Sequence, residues 1–480
     1  MGEEIKYSRF NHADYARFEK HLKQETGILG EWFEHDRLSS KPPVAGYELE
    51  AWLIDDDAAP CPQNEKFMQA ANDPMMSMEL AKFNIELNVE PQAFNHSLLR
   101  DFDKQLLHLW NHCKQAASTT GCRILGIGTL PTLMDQHLSL DNISALDRYR
   151  ALNEQVLRAR KGQPIHLLID GHEHLETEHE NVMLEAASTS LQIHLQVPEQ
   201  MAVRYYNASL VLSAPMVAVG ANSPFLFGKD LWAETRIPVF EQSVPAGGIG
   251  GAAGGPVYRV SFGTGYARES LLECFIENME HFPVLLPIEY DEPLEQLRHL
   301  RLHNGTIWRW NRPLIGFDAD GTPHLRIEHR VVASGASVVD NIANIAFYYG
   351  LAQDYANRAT PPESRVTFAE ARDNFYRAAR LGLGHKLTWT DGNRYSMQNL
   401  VLEKLLPEAE AGLRRLGIAE NDIRFYLGII ENRVYNGSTG CDWQRRFVQR
   451  HGRDMQLLTQ TYYHNQQSNR PVHEWDYETT

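Results

Sequence analysis

The segment KFNIELNVEPQAF, residues 82–94, alternates apolar and polar positions. In extended conformation Phe83, Ile85, Leu87 and Val89 share one face, and Asn84, Glu86, Asn88 and Glu90 the other. Three further runs have the same polarity. GYELEAWLI sets Glu48 and Glu50 opposite Tyr47, Leu49 and Ala51. SLQIHLQV sets Gln192, His194 and Gln196 opposite Leu191, Ile193, Leu195 and Val197. HLRIEHRVV sets Arg326, Glu328 and Arg330 opposite Leu325 and Ile327. The pattern predicts strands over 46–54, 83–90, 190–197 and 324–332, and a short one over 122–128. Helical spacing predicts helices over 11–35, 97–120, 144–160, 199–220, 268–281 and 338–357. In the second of these, Leu98, Phe102, Leu106, Leu109 and Cys113 form the apolar stripe.

From about residue 366 onward nearly every periodic run is helical. The change follows ATPPES, 359–364, whose paired prolines suit a turn or linker. The expected organisation is an α+β body over 1–358 and a helical C-terminal part over 359–480 packed on it. The terminal stretch SNRPVHEWDYETT is expected to be loosely held.

Apolar content of 43% over 480 residues supplies a large core. The net charge of −16, from 62 acids against 46 bases, argues against nucleic acid as the main partner, because phosphate backbones need a basic face. It leaves room for an anionic small molecule in a local cationic pocket. No apolar run reaches the length of a membrane span, and the polar N-terminus MGEEIKYSRF lacks a signal-peptide core. Five scattered cysteines without a CxxC spacing read as reduced thiols of a cytoplasmic protein, with Cys113 and Cys122 in the core.

Same-face residues lie ~6.6 Å apart along a strand, and paired strands ~4.8 Å apart. Joined in one sheet, Glu48, Glu50, Glu86, Glu90, His194 and Glu328 crowd one concave surface. Carboxylates that close repel unless cations neutralise them. A carboxylate-rich set with one imidazole and no thiolate favours Mg²⁺ or Mn²⁺ over zinc, and its charge calls for more than one ion. Any one of these runs alone reads more readily as a solvated face. The shared polarity of four, each with metal-competent side chains, carries the reading.

The same residues carry a resemblance. The chain resembles the glutamate–cysteine ligase-like carboxylate–amine ligases of the glutamine synthetase superfamily. GYELE is similar to that family's opening acidic strand, STSLQIHLQV to a later strand, and ANSPFLFGKDLWAETR, 221–236, to its Ala-Asn-Ser-Pro-Phe segment with a following arginine. GTIWRWNRP, LRIEHR and NGSTGCDWQ resemble downstream motifs, so the likeness spans roughly 46–445. It implies a glutamine synthetase-like curved antiparallel sheet forming an active-site cup, flanked by helices. It also implies a cytoplasmic enzyme of glutathione biosynthesis that uses ATP and Mg²⁺ (or Mn²⁺) to join the γ-carboxylate of glutamate to an amine, cysteine by default, through an acyl phosphate. The resemblance makes Glu48, Glu50, Glu86, Glu90, His194 and Glu328 the metal ligands, and Glu328 and Arg330 catalytic. Arg236 then clamps the glutamate α-carboxylate, while Arg312 or Arg330 meets phosphate oxygens through a planar fork. Gln192, Asn88 and Asn222 orient ions or substrate, and for Asn222 a turn-capping role is an equal reading. The partners implied are small molecules only, neither nucleic acid nor membrane, and a homo-oligomer is compatible.

Two segments stand outside the family pattern. PAGGIGGAAGGP, 245–256, has six glycines in twelve residues but no P-loop ending, and reads as a flexible loop placed to cover substrate. DGHEHLETEHEN, 170–181, fails the HExxH spacing and reads as a solvated loop. Two rival functions remain. One is the same chemistry with a different acid or amine. The other is a catalytically silent nucleotide- or metal-binding regulator on the same scaffold. A guanidino kinase is weaker, because its reactive-cysteine loop is not evident.

Overall fold

A computed structural model describes residues 10–246 and 258–479 of the chain, so residues 247–256 of the glycine-rich segment lie outside the described residues. The alternating runs form one antiparallel sheet of eight strands, curled into a half-barrel. The strands are β1 (Val44–Ile54), β2 (Met76–Met78), β3 (Asn84–Asn88), β4 (Gln92–Ala93), β5 (Arg123–Leu125), β6 (Ser190–Val197), β7 (Asn311–Phe317) and β8 (Pro323–Ala333). The order is β7-β8-β6-β1-β3-β2, with β4 and β5 pairing opposite ends of β1. Strand β7, hidden in the arginine-bearing segment NRPLIGF, was not expected as a strand.

The apolar backs of these strands are buried under helices. Tyr47, Leu49, Ile193, Leu195 and Ile327 are each at most 2% exposed. Helix α1 spans His12–Glu34, α2 Leu98–Thr119, α3 Ala202–Val219 and α4 Val338–Ala356. The stripe of α2 lies on the sheet, with the Phe102 ring edge-on to Tyr47 at 5.0 Å. Helix α4 is pinned to two strands at once. Tyr349 Oη donates to the carbonyls of Gly46 (2.8 Å) or His194 (2.9 Å) and accepts from Gly46 N (3.0 Å). Binding the back of the sheet this way leaves the polar front free for chemistry.

The C-terminal helices share the hydrophobic core of the body. Helix Leu406–Arg415 crosses α4 where Gly350 and Gly412 meet, so close that a Cβ on either would run into the other helix's backbone. Helix Gly440–His451 starts at a capping box between Thr439 and Asp442. Its first residue, Gly440, packs on the Asn222 side chain. Asn222 donates to Ser334 O (2.8 Å) and Tyr462 Oη (2.9 Å), and Gln444 donates to Asn222 Oδ1 (3.0 Å). Gly440→Ala is therefore expected to destabilise the fold by about 1–3 kcal/mol, since the added methyl meets a fully engaged amide. An unchanged urea midpoint would show that Asn222 moves aside freely.

Three local expectations are corrected. Cys61 and Cys122 form a disulfide, with Cα atoms 6.2 Å apart, while Cys113, Cys274 and Cys441 are buried free thiols. The partners are 61 residues apart in sequence. They meet because Cys61 N bonds Leu53 O on one side of β1 and Arg123 of β5 pairs Ile54 on the other. Residues 170–181, read as a loop, belong mostly to a β-hairpin of Ile165–Asp170 and His174–His179, whose buried side is Ile165, Leu167, Ile169 and Leu175. The terminal stretch is docked: Tyr477 stacks on Trp443 at 5.7 Å, and Trp475 is 6% exposed. Its aromatic residues supply the apolar area that its polar composition concealed.

Candidate active site

Cα pairing fixes which side chains share the front of the sheet. Glu48 pairs with Asn88 on one side and Gln192 on the other, and Glu50 pairs with Glu86. His194 pairs with Gly46 and Glu328, and Glu328 with Arg312. Because antiparallel partners project to the same face, Glu48, Glu50, Glu86, Asn88, Gln192, His194, Arg312 and Glu328 line one surface.

Glu48, His194 and Glu328 each offer a ligand atom within 4.8 Å of the other two. His194 Nε2 is buried without a hydrogen-bond partner among the described residues, and the facing oxygens of Glu328 and Glu48 stand at 3.5 and 3.7 Å. An imidazole nitrogen held between two carboxylates at more than bonding distance suits a shared cation. Glu328 also takes both prongs of Arg312, at 2.9 and 3.0 Å, and Arg330 Nη1 at 3.0 Å. Burial alone would raise its carboxyl, but Arg312, Arg330 and His194 outweigh burial and hold it well below the usual carboxylate range. Arg330 reaches across to Gln192 Oε1 as well, and Gln192 Nε2 donates to Glu50 Oε1 at 2.8 Å.

The far side of the front is more acidic. Glu50 accepts from Ser190 N at 2.7 Å. Burial and the neighbouring Glu86 nonetheless push its carboxyl up to about 7, against the pull of Arg330. Glu86, held by Ser77 (3.1 Å) and Asn88 (3.2 Å), is raised by burial and by Glu48. Two carboxylates that the strand pattern did not reveal join them. Glu79, directly after β2, is raised well above the usual range by burial, Glu86 and Glu50. Glu185, on the short helix Val182–Ala187 leading into β6, is pushed up to about 8 by burial and Glu50. Neither sits in an alternating run. Their only signal is a lone glutamate in an apolar segment one turn from a marked strand.

Two other expected site residues, Glu90 and Asn222, lie apart. Glu90 is exposed beyond the end of β3. Asn222 is buried at the contact with the C-terminal helices. Arg236 is 2% exposed, its Nη2 donates to the carbonyls of Arg330 (3.0 Å) and Val331 (2.7 Å) and so braces β8, and it stands near enough to Glu50 and Arg330 for their charges to act on it.

A cavity of about 300 Å³ opens beside the Glu48–Glu328 end. Five arginines line it, Arg148, Arg298, Arg301, Arg312 and Arg326, against two carboxylates, so it is cationic within an acidic protein. Arg326 Nε is buried without a hydrogen-bond partner among the described residues. Trp308, Phe275 and Leu302 form an apolar wall.

A family model described as glutamate–cysteine ligase family 2 matches residues 44–461. The chain belongs to that family. All of the front-face residues above, and the whole cavity, fall inside the span that makes it a family 2 member. No curated protein matches it. Among solved structures it is similar to a glutamate–cysteine ligase of Francisella tularensis in complex with AMP, at 10% identity and a TM-score of 0.52, with 90% of each chain covered. It is also similar to a bifunctional glutathione synthetase of Pasteurella multocida, at 13% identity and a TM-score of 0.48, with 94% of this chain and 54% of that one covered. For this family 2 chain, the first likeness speaks for the fold.

Proposed function

We propose that the protein is an ATP- and Mg²⁺-dependent ligase that joins the γ-carboxylate of glutamate to an amine, with cysteine the default acceptor. The observation that carries this reading is the convergence of Glu48, His194 and Glu328 at the mouth of an arginine-lined cavity. The donor set fits hard divalent ions: Glu48, His194 and Glu328 would hold one, and Glu50, Glu86, Glu79 and Glu185 supply oxygens for another. Bound there, such ions supply charge neutralisation between phosphate and carboxylate oxygens.

The chain's own residues do the rest. Arg326 and Arg312 receive the phosphates, while the apolar wall takes the base. Arg330 and Gln192 hold the γ-carboxylate in line with the γ-phosphorus. A carboxylate oxygen forms the new P–O bond as the bond to ADP breaks. The amine nitrogen then attacks the acyl carbon, phosphate leaves with its bonding pair, and the amine gives up a proton. In this scheme Arg330 and Glu328 are catalytic. Arg236 positions Arg330 through the backbone of β8, and Asn222 anchors the C-terminal helices.

The test is to incubate purified protein with ATP, Mg²⁺ and glutamate and to follow ADP and phosphate across a panel of amines. Phosphate release that requires both acid and amine supports the ligase, and the amine that gives it names the acceptor. Nucleotide binding without turnover for any acid–amine pair would leave a silent regulator. Arg312→Lys keeps the charge but loses the fork on Glu328, so kcat/KM for ATP is expected to fall about 10- to 100-fold. A wild-type value in steady-state kinetics would remove Arg312 from the site.

A further inference from the structure

A second cluster of ligand-type side chains lies behind the cavity wall, formed by residues to which the proposed reaction gives no role. His21 of α1, Glu289, and His299 of helix Arg298–Gly305 each offer an atom within 4.8 Å of the others. His21 Nδ1 is 3.3 Å from His299 Nε2 and 3.6 Å from Glu289 Oε2. Ligands of a tetrahedral zinc ion, with bonds of about 2.0–2.1 Å, stand about 3.3–3.5 Å from one another. The two rings are tilted at 55° with centroids 4.6 Å apart rather than placed end to end.

The surroundings are built for a ligand. His299 Nδ1 lies 2.6 Å from Glu25 Oε1, with the two side chains 2% and 1% exposed. Leu300 N donates to the other oxygen of Glu25 at 2.7 Å. A buried carboxylate held this way keeps the proton on Nδ1 and turns the Nε2 lone pair toward His21 and Glu289. This is the carboxylate–histidine arrangement that orients imidazole ligands. Arg17 Nε binds Glu289 Oε1 at 3.2 Å, which leaves Oε2 for the cluster.

We propose that His21, His299 and Glu289 form a second metal site, separate from the carboxylate cluster and taking a borderline divalent ion of the Zn²⁺ class. Two imidazoles and one carboxylate suit such an ion, whereas the oxygen-rich sheet face suits Mg²⁺. The site sits against the cavity: Tyr290 and Arg298, adjacent in sequence to Glu289 and His299, both line it. The Tyr290 ring lies 5.3 Å from that of His299. An ion there fastens α1 to the cavity wall.

The experiment uses the full chain, stripped with a chelator and returned to excess Mg²⁺ so that the carboxylate cluster is saturated. Zn²⁺ binding is then followed by calorimetry, and Co²⁺ binding by its visible spectrum. Wild-type protein is expected to take one Zn²⁺ per chain and to give the intense tetrahedral Co²⁺ band. His21→Ala and Glu289→Gln are each expected to weaken binding at least about tenfold and to lose that band. Both side chains are about one-third exposed, at 30% and 34%, so the variants keep the fold, which a thermal melt verifies. No Zn²⁺ uptake by wild-type protein under excess Mg²⁺, or equal uptake by both variants, overturns the site whether or not the ligase reading holds.

Discussion

Glu328→Gln is expected to lower kcat by about 10³-fold or more while the protein still binds nucleotide. One carboxylate ties the fork of Arg312, Arg330 Nη1 and the facing His194 together, and an amide can neither neutralise two guanidinium groups nor serve a hard cation as well. The buried ion network implies a cost, because removing one partner from a buried charge cluster typically costs about 3–5 kcal/mol. Glu50→Gln is the cleaner companion. Glu50 bears a raised pKa, so an uncharged amide resembles its protonated state and is expected to lose turnover without losing stability. Stopped-flow or steady-state ADP release, paired with urea midpoints for both variants, separates the effects. Full activity in both would remove the sheet face from the chemistry.

Metal-free protein is expected to lose stability as pH rises from about 6.5 to about 8. Glu50 and Glu241 are pushed up by burial to about 7, and Glu185 by burial and Glu50 to about 8, all above the usual carboxylate value of about 4.3. The folded state therefore binds more protons than the unfolded state across this interval, so unfolding free energy falls with pH. Below about 6.5 an opposite trend offsets it. Burial depresses His303 and His385 to about 4 and His329 to about 3, and these groups favour folding increasingly as pH rises toward the unfolded histidine value. Glu328, depressed instead of raised, is already fully ionised throughout. The net loss between 6.5 and 8 is on the order of 2 kcal/mol. Mg²⁺ is expected to restore more stability at pH 8 than at pH 6.5, because its ligands need not release protons first. Thermal melts at three pH values, with and without Mg²⁺, check this. A flat metal-free profile would mean that the carboxylates are neutralised by other means.

The front of the sheet was legible because a period of two writes a strand's faces into the sequence. Glu86, His194 and Glu328 were marked by alternation long before pairing joined them. What alternation cannot carry is contact between segments that do not alternate. Glu79 and Glu185 stand outside the strands, and Cys61 meets Cys122 only because two segments flank the end of β1. The sequence marked Asn222 and Arg236 through the segment they share, but not which way they point. One looks toward the C-terminal helices and the other braces the backbone of β8. Glu90 shows the opposite error, since a pattern that runs two residues past the paired strand names a side chain that faces solvent.

The meeting of Gly440 with Asn222 has a bearing on how such chains can be recombined. The amide is satisfied by Ser334 from the sheet side and by Gln444 and Tyr462 from the far end of the sequence. A chimaera joined near residue 360 therefore inherits half of a lock. It is expected to assemble only when the donor's tail brings the glycine, the glutamine and the tyrosine together.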